Sequence, residues 1–403
     1  LLRPLLPRPP LPCHRPAAPA SARTYAPIMS TPGTDRASLP HTTGAPPLSP
    51  MTFRPMLMEK VWGGDRLSRF GKVVAPGARI GESWELADMA STSASGAGGG
   101  AAHSVIETGP MAGRTLREAI AAYGHRLLGS SRPMSHGGVG EFPLLIKYLD
   151  AREDLSVQVH PSPEYARHHP GAHLKTECWY ILHAEPGARI YKGVRPGVTR
   201  AAFETALRSG NGRGVVELLE SVPAVAGECH NLPSGTVHAL GAGVLVAEVQ
   251  TPSDTTFRVY DWGRTGRELH IEQALACIDF HPAPAATRHG GASAASSGAS
   301  GGASGGGGGG AAGVGGAVSR WSRLVTTSFF TLDESRPGAG ASVPVRSEPG
   351  DACIVLMCIA GAAELCSDDG SFPAMTLAAG RTVLVPAEIS GRCRVAGGPD
   401  GAT

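Results

Sequence analysis

Residues 144–161 have the sequence LLIKYLDAREDLSVQVHP, in which two short apolar runs flank a polar stretch. The second run alternates, because Ser156, Gln158 and His160 are polar and the two residues between them are valines. A period of two is typical of a β-strand, since successive side chains point to opposite faces. The stretch therefore predicts a strand that carries three polar groups on one face.

The core from residue 51 to 286 contains further strand-like runs and only short helical patches. The predicted strands are 144–149, 155–159, 179–182, 243–250 and 255–260. Helices are predicted after the capping-box pattern that begins at Thr115, within 200–220 and over 268–278. Many short strands with few helices predict a mainly β fold, a sandwich or jelly roll with short helical insertions, and not βαβ repeats.

Two more segments add polar groups to predicted strands. In KTECWYIL, Lys175 and Glu177 share one strand face. In LPSGTVHAL, the Pro-x-Gly sequence predicts a turn and places His238 at the start of the next strand. Taken alone, the first pair could be an exposed ion pair, which contributes only about 0–1 kcal/mol. The spacing P-x-G-x-x-H in the second segment resembles the second metal motif of the cupin superfamily.

The polar residues of these segments form a candidate metal set. Gln158, His160, Glu177 and His238 offer two imidazoles, a carboxylate and an amide oxygen. Such a donor set suits Zn²⁺, Fe²⁺ or Mn²⁺. A solvated strand face is the alternative interpretation of the first two residues.

The segment from Val246 to Asp261 holds two further candidate residues. Glu248 and Gln250 share a face, and Arg258 lies between Phe257 and a valine in a run that should be half buried. A buried arginine needs partners, and an anionic substrate is one possible partner.

Several segments, in this order, resemble the signature segments of the type I phosphomannose isomerases in their compact bacterial-like form. They are VWGGDRL, IGESWELAD, FPLLIKYLDAREDLSVQVHP, KTECWYIL, LPSGTVHALG and AEVQTPSDTTFRVYDWGR. The resemblance extends from about residue 60 to 280. It implies a fold of cupin-type jelly-roll β-barrels, with a catalytic half and a metal-free second half. The last part of the chain, from residue 320, contains no histidine and fits the second half.

The resemblance also implies the cofactor and the site. One Zn²⁺ per chain is expected on Gln158, His160, Glu177 and His238. The family's active-site arginine corresponds to Arg258. The residues expected near the substrate phosphate are Lys147 and Ser156.

The implied reaction interconverts mannose 6-phosphate and fructose 6-phosphate through an enediol(ate). A general base must then move a proton, and Glu248 and Lys175 are both candidates for it. Two other classes of protein remain alternatives: another His/Glu/His metal enzyme, such as an Fe²⁺ oxygenase, and a non-catalytic sugar-phosphate-binding protein. An oxygenase has no evident need for Gln158, Lys175 and Arg258 together.

Composition divides the chain into four predicted parts. Residues 1–50 contain 13 prolines, five arginines and one acidic residue, which predicts a disordered leader or a transit peptide. Residues 51–286 form the catalytic domain. Residues 287–319 are a flexible insertion rich in Gly, Ala and Ser, and residues 320–403 are the metal-free jelly-roll domain. The expected location is cytoplasmic, or organellar if the leader is a transit peptide.

Charge and cysteine usage restrict the partners. The net charge is +2, from 36 basic and 34 acidic residues, so no overall field favours nucleic acid or a membrane surface. No apolar run reaches the roughly 18–20 residues that a membrane-spanning helix needs. The eight cysteines include no C-x-x-C pair, which argues against a zinc ribbon. The expected partner is a small hexose phosphate, and the sequence specifies no oligomeric state.

Overall fold

The structure is a computed structural model, and it describes residues 45–93, 99–131, 142–289, 320–346 and 351–403. Most of the predicted leader and the greater part of the predicted flexible insertion lie outside these residues. The targeting role of the leader and the division into domains stay predictions.

Strands dominate the described residues, and this confirms the predicted mainly β class. In chain order they are β1 Met51–Thr52, β2 Met56–Gly64, β3 Ile80–Leu86, β4 Asp88–Met89, β5 Ala102–His103, β6 Leu145–Ala151, β7 Val157–Val159, β8 Glu177–Ala184, β9 Arg189–Val194, β10 Leu219–Pro223, β11 Glu228–Leu232, β12 His238–Leu240, β13 Val244–Gln250, β14 Phe257–Tyr260, β15 Thr287–Arg288, β16 Ser322–Thr326, β17 Thr331–Glu334, β18 Ser342–Val345, β19 Ile354–Met357, β20 Gly361–Ser367, β21 Met375–Ala378, β22 Thr382–Val385 and β23 Cys393–Ala402.

The helices are short, as predicted. The α-helices are α1 Leu116–Tyr123, α2 His125–Leu128, α3 Pro163–His168, α4 Arg200–Arg208 and α5 Ile271–Cys277, and two 3₁₀ helices span Arg66–Phe70 and Gly210–Leu218. Within the ranges given above, no helix is both long enough and apolar enough to cross a membrane.

Two antiparallel sheets contain most strands of the predicted catalytic domain. The larger has seven strands in the order β15-β11-β8-β13-β6-β2-β3, and the smaller has five in the order β10-β9-β12-β7-β14. Side chains of the two sheets meet between them, since His160 at the end of β7 contacts Glu177 at the start of β8. Neighbouring strands that are distant in the chain are typical of a jelly roll.

Each strand of these sheets divides its side chains between the space inside the sandwich and an outer layer. In β7 the outward residues Val157 and Val159 pack in a cluster with Phe203 of α4 and Leu275 of α5. The outer face of the larger sheet is covered by α1 and by residues of the C-terminal part, such as Leu324 of β16. The polar residues that remain therefore point into the sandwich.

The C-terminal part pairs with the rest of the chain at several points. The strand β1 lies in a three-stranded sheet with β22 and β19, and Met51 pairs with Leu384. The side chain of Lys72 donates to Glu85 Oε2 at 2.7 Å and to the carbonyl of Gly380 at 2.8 Å. The first residues of the predicted catalytic domain thus complete a sheet of the C-terminal part. A domain boundary at a single position in the sequence cannot describe this pairing.

Helix α1 begins with the capping box that its sequence predicts. The hydroxyl of Thr115 accepts a hydrogen bond from the backbone N–H of Glu118 at 3.2 Å, and the Glu118 carboxylate accepts one from the Thr115 N–H at 2.7 Å.

We expect Thr115→Ala to lower the free energy of unfolding by about 1 kcal/mol. Chemical denaturation would measure the loss, and Thr115→Ser should retain most of the stability. Equal stability of the alanine and serine variants would contradict the prediction.

Candidate active site

Three predicted metal ligands meet between the two sheets. Nε2 of His160 lies 3.4 Å from Oε2 of Glu177, and Nε2 of His238 lies 3.1 Å from Oε1 of the same carboxylate. One ligand atom from each residue falls within 4.8 Å of the others, and all three residues are buried. The structure therefore brings the His/Glu/His set together from β7, β8 and β12.

The Pro-x-Gly turn positions two of these residues. Gly235 has φ +92°, a left-handed backbone conformation that favours glycine. Its N–H donates to the carbonyl of His160 at 3.2 Å, and the N–H of Thr236 donates to the carbonyl of Pro233 at 3.0 Å. The turn thus fixes the end of β7 and starts β12 with His238, as the sequence predicts.

Both imidazoles present Nε2 to the glutamate. Nδ1 of His160 lies 2.9 Å from the carbonyl of Thr255, and Nδ1 of His238 lies 2.8 Å from the carbonyl of Thr236. A carbonyl only accepts, so Nδ1 carries the proton and Nε2 keeps its lone pair. Burial, together with the charge of Lys175, lowers the pKa of His160 to about 3. This histidine is therefore a neutral imidazole at neutral pH, the form that binds metals.

The ionic state of Glu177 also suits a metal. Burial opposes its charge, but Lys175, His160 and His238 together outweigh that cost and hold the pKa of Glu177 well below its usual range. Nε2 of His160 and Oε1 of Glu177 are buried and accept no hydrogen bond from the residues described. Lone pairs that face each other without a proton repel, and a cation between them removes the repulsion. The residues present therefore fit a divalent metal ion.

The amide of Gln158 lies at the edge of this group. Its Nε2 is 3.3 Å from Nε2 of His238, and its Oε1 accepts a hydrogen bond from the hydroxyl of Ser156 at 3.3 Å. Rotation of the amide by 180° exchanges its oxygen and nitrogen, which would turn the oxygen towards His238. The role of Gln158 as a fourth ligand stays a prediction.

Two cations flank the candidate ligands. Nζ of Lys175 is 2.7 Å from Oε2 of Glu177, and the side chains of this pair are at most 6% exposed. Arg258 pairs with Gln158 across β14 and β7, so its side chain points into the same space. One nitrogen of Arg258, Nη1, donates to the carbonyl of Glu268 at 2.8 Å. Its Nε is buried and has no partner among the described residues, which leaves one donor for another ligand.

Two other predicted site residues, Lys147 and Glu248, lie in the larger sheet. Glu248 pairs with Trp179 on one side and with Lys147 on the other. Its Oε2 accepts a hydrogen bond from the indole N–H of Trp179 at 2.9 Å, and its Oε1 lies 3.3 Å from Nζ of Lys147. Nζ of Lys147 also lies 3.4 Å from Oε2 of Glu82. The charge of Lys147 is thus already balanced by two carboxylates, and its phosphate-binding role stays a prediction.

Sequence reasoning did not single out Trp179 or Glu82 as site residues. Trp179 is 1% exposed, and its ring meets the ring of His238 edge to face at 5.3 Å. The alternation in KTECWYIL already places Trp179 on the same strand face as Lys175 and Glu177. In the same way, the alternation in IGESWELAD places Glu82 and Trp84 on one face. The alternation of residues along each strand could therefore have identified Trp179 and Glu82 as residues that face the site.

A cluster of arginines beyond Arg258 was also missed. Asp261, which directly follows β14, accepts hydrogen bonds from Arg264 at 2.9 Å and from Arg267. Burial, together with the positive charges of Arg267 and Arg264, lowers the pKa of Arg258. The sequence carries these residues within ten positions, but their convergence on one carboxylate depends on the loop after β14.

Comparison with known proteins relates the chain to the phosphomannose isomerases. The family model described as phosphomannose isomerase type I, catalytic domain, matches residues 52–185. The mannose-6-phosphate isomerase ManA of Bacillus subtilis is 38% identical over 241 residues, which cover 58% of this chain and 70% of the relative.

Solved structures share the fold. The crystal structure of the mannose 6-phosphate isomerase from Bacillus subtilis has a TM-score of 0.66 at 27% identity, with 86% of this chain and 98% of that chain covered. A zinc-bound mannose 6-phosphate isomerase has a TM-score of 0.59 at 19% identity, with 88% and 98% covered, and shows the fold alone. From the length and identity of the match to ManA and from the catalytic-domain match, the chain belongs to the type I phosphomannose isomerase family.

Proposed function

We propose that this chain is a zinc-dependent aldose–ketose isomerase that interconverts mannose 6-phosphate and fructose 6-phosphate through an enediolate. The observation that carries the proposal is the convergence of the His/Glu/His group, two cations and a separate carboxylate in one buried space. The names of the relatives, which are mannose-6-phosphate isomerases, support the choice of substrate.

His160, Glu177 and His238, with Gln158 as a fourth donor, would hold the zinc ion. Nitrogen and carboxylate oxygen donors in this number are typical of catalytic zinc sites. When bound, the ion supplies a Lewis acid that favours negative charge on the oxygens of the sugar. The carbonyl groups of Thr255 and Thr236 keep the two imidazoles oriented for this task.

The structure supports Glu248 over Lys175 as the general base. Lys175 is in an ion pair with Glu177 at 2.7 Å, and an ammonium group has no lone pair to accept a proton. Oε1 of Glu248 accepts no hydrogen bond from the described residues, and Oε2 is oriented by Trp179. We propose that Oε1 of Glu248 takes the proton from C2 of the open-chain form of mannose 6-phosphate and returns it to C1, while the proton on O2 moves to O1, so that the carbonyl passes from C1 to C2.

Arg258 would stabilise the charge that develops in this step. Removal of the proton from C2 places negative charge on the O1/O2 pair of the sugar. A fixed guanidinium group beside these oxygens lowers the energy of the enediolate, and more strongly in a buried site than in water. Lys175, as an ammonium group next to Glu177, adds a second positive charge on the same side.

The phosphate of the substrate needs its own partners. We propose that Ser156 and Lys147 bind it. The hydroxyl of Ser156 is hydrogen-bonded to Gln158, and Lys147 lies between the carboxylates of Glu82 and Glu248. Binding energy from the phosphate would then position the reacting carbons. Kinetics of single variants separate the roles of the two residues. Loss of a phosphate contact raises KM, whereas loss of the effect of Lys147 on Glu248 lowers kcat.

A coupled assay for fructose 6-phosphate, with metal analysis of the same sample, tests the proposal. We expect turnover of mannose 6-phosphate, loss of turnover after dialysis against a chelator, and recovery with one equivalent of Zn²⁺ per chain. Binding of mannose 6-phosphate without turnover in the zinc-loaded protein would instead support the non-catalytic alternative. Recovery with Fe²⁺ and not with Zn²⁺ would contradict the assignment of zinc.

A further inference from the structure

A line of alternating charges crosses the larger sheet beside the proposed base. Lys60 of β2 contacts Glu82 of β3 at 3.2 Å, and Lys147 of β6 lies 3.4 Å from Glu82 and 3.3 Å from Glu248 of β13. All four side chains are at most 14% exposed. The mechanism proposed above uses Glu248, but it leaves the role of Glu82 open.

The two glutamates have matching surroundings. Each accepts a hydrogen bond from an indole N–H: Glu82 from Trp84 at 2.7 Å, and Glu248 from Trp179 at 2.9 Å. Lys147 lies between them at nearly equal distances, and its Nζ is 4.8 Å from the centre of the Trp84 ring. The ammonium group is therefore shared between two carboxylates and belongs to neither alone.

Sharing has a consequence for Glu248. Its contact of 3.3 Å with Lys147 lacks hydrogen-bond geometry, so Oε1 keeps its lone pairs available. A single buried ammonium–carboxylate pair would form a short, charge-assisted hydrogen bond. Such a bond would occupy the oxygen that has to accept the proton and would weaken it as a base.

The charge of Glu82 is permanent over the working range of pH. Burial opposes ionisation, but Lys147 and Lys60 outweigh it and lower the pKa of Glu82 to about 2. In turn, the charges of Glu82 and Glu248 outweigh burial and raise the pKa of Lys147. The attraction between Glu82 and Lys147 therefore does not vary while the enzyme turns over.

We infer that Glu82 is a positioning residue, which draws Lys147 away from full pairing with Glu248 and so keeps Glu248 free to accept a proton. The inference rests on the proposed function, since it concerns the base of that reaction. Glu82 acts through Lys147 and touches neither the substrate nor the metal ligands in this role.

The variant Glu82→Gln tests the inference, because it removes the charge and keeps the shape. Lys147 should then pair fully with Glu248. We expect kcat to fall about 10-fold, a part of the contribution of a general base, and KM to change little. The acidic limb of the kcat profile should move about one pH unit lower, since the closer cation keeps Glu248 ionised.

Other groups near Glu248 must stay constant for this pH shift to be interpreted. Three titratable groups surround Trp179, the strand partner of Glu248. His230 pairs with Trp179 from β11, Glu177 lies two residues before it in β8, and the ring of His238 contacts it from the facing sheet. None of them contacts Glu82 within the part of the chain that the structure describes. Equal zinc content of the wild type and the variant would show that the ligands are undisturbed.

Glu85→Gln is the matched control. Glu85 lies on the same strand, its side chain is 4% exposed against 12% for Glu82, and it pairs with Lys72 at 2.7 Å, but it points to the opposite face. Its replacement should lower the melting temperature and leave the pH profile of the folded enzyme unchanged. If Glu82→Gln behaves in the same way, Glu82 is structural only and the inference is overturned.

Two more variants test the route through Lys147. Lys147→Met should move the acidic limb to higher pH, and adding Glu82→Gln to it should change nothing further. Lys60→Met, at the partly exposed end of the line, should also move the limb upward, because Glu82 then attracts Lys147 more strongly. This variant decides the matter if Glu82→Gln does not fold. A wild type without isomerase activity would overturn the proposed function itself, whereas an active wild type with unshifted variants overturns only this inference.

Discussion

Replacement of Arg258 by alanine should lower kcat about 100-fold or more, or about 3 kcal/mol, in the range found when one charge-stabilising donor is removed. KM should change much less, because the guanidinium interacts most strongly when charge has moved onto O1 and O2. The structural reasons are the position of Arg258 beside Gln158 and its buried Nε, which has no hydrogen-bond partner among the residues that the structure describes. The measurement is kcat per folded, zinc-loaded molecule.

Two further variants show whether this loss is specific. Arg258→Lys should restore little activity, because an ammonium group cannot reproduce a planar guanidinium. Arg66→Ala is the matched control, since the side chain of Arg66 is only 10% exposed and pairs with Asp150 at 2.7 Å, and none of its hydrogen-bond partners among the described residues is a proposed metal ligand. It should lower stability and leave kcat per folded molecule unchanged. A normal kcat together with a lower melting temperature in Arg258→Ala would make Arg258 part of the scaffold.

Much of the candidate site follows from strand alternation. A period of two places Gln158 and His160 on one face of β7 and Lys175 and Glu177 on one face of the segment that leads into β8. The Pro-x-Gly turn then predicts that His238 begins a strand. These are local rules of backbone geometry, which need no knowledge of the distant chain. The structure brings His160, Glu177 and His238 together, whereas alternation alone predicts only which side chains share a face of a strand.

The line of charges beside Glu248 could not be predicted in this way. Lys60, Glu82, Lys147 and Glu248 belong to four strands, and the contacts depend on the order and the register in which these strands pair. A slip of one residue would turn a whole strand's side chains to the other face. The sequence therefore predicts a phosphate-binding role for Lys147 but does not predict its contacts with Glu82 and Glu248.

The pairing of β1 with β22 was missed for the same physical reason. These two-residue and four-residue strands are separated by more than 300 positions in the chain. Sequence composition marks the Gly-rich segment as a boundary, but it carries no information about which edge of a sheet remains open. A short strand that completes a distant sheet leaves almost no periodic signal.

Replacement of His160 or His238 by alanine should lower zinc affinity on the order of 100-fold or more, since loss of even an outer hydrogen-bond partner of a metal ligand costs 10–100-fold. Each imidazole directs an Nε2 lone pair at Glu177. At His160 this nitrogen accepts no hydrogen bond from the described residues, so its lone pair is available to a metal ion. Zinc per chain after dialysis against a weak chelator measures the effect. Turnover should fall in parallel with the zinc content.

His230→Ala is the matched control for these two variants. His230 is 2% exposed, and neither ring nitrogen has a hydrogen-bond partner among the residues described, so it resembles the proposed ligands in burial. Burial and the charge of Lys192 lower its pKa to about 3, so it too is a neutral imidazole. It lies opposite Trp179 in β11, however, and does not belong to the His/Glu/His group. We expect one zinc per chain in this variant. Zinc that survives in both His160→Ala and His238→Ala, or that is lost equally in His230→Ala, would show that burial and not coordination explains the three histidines.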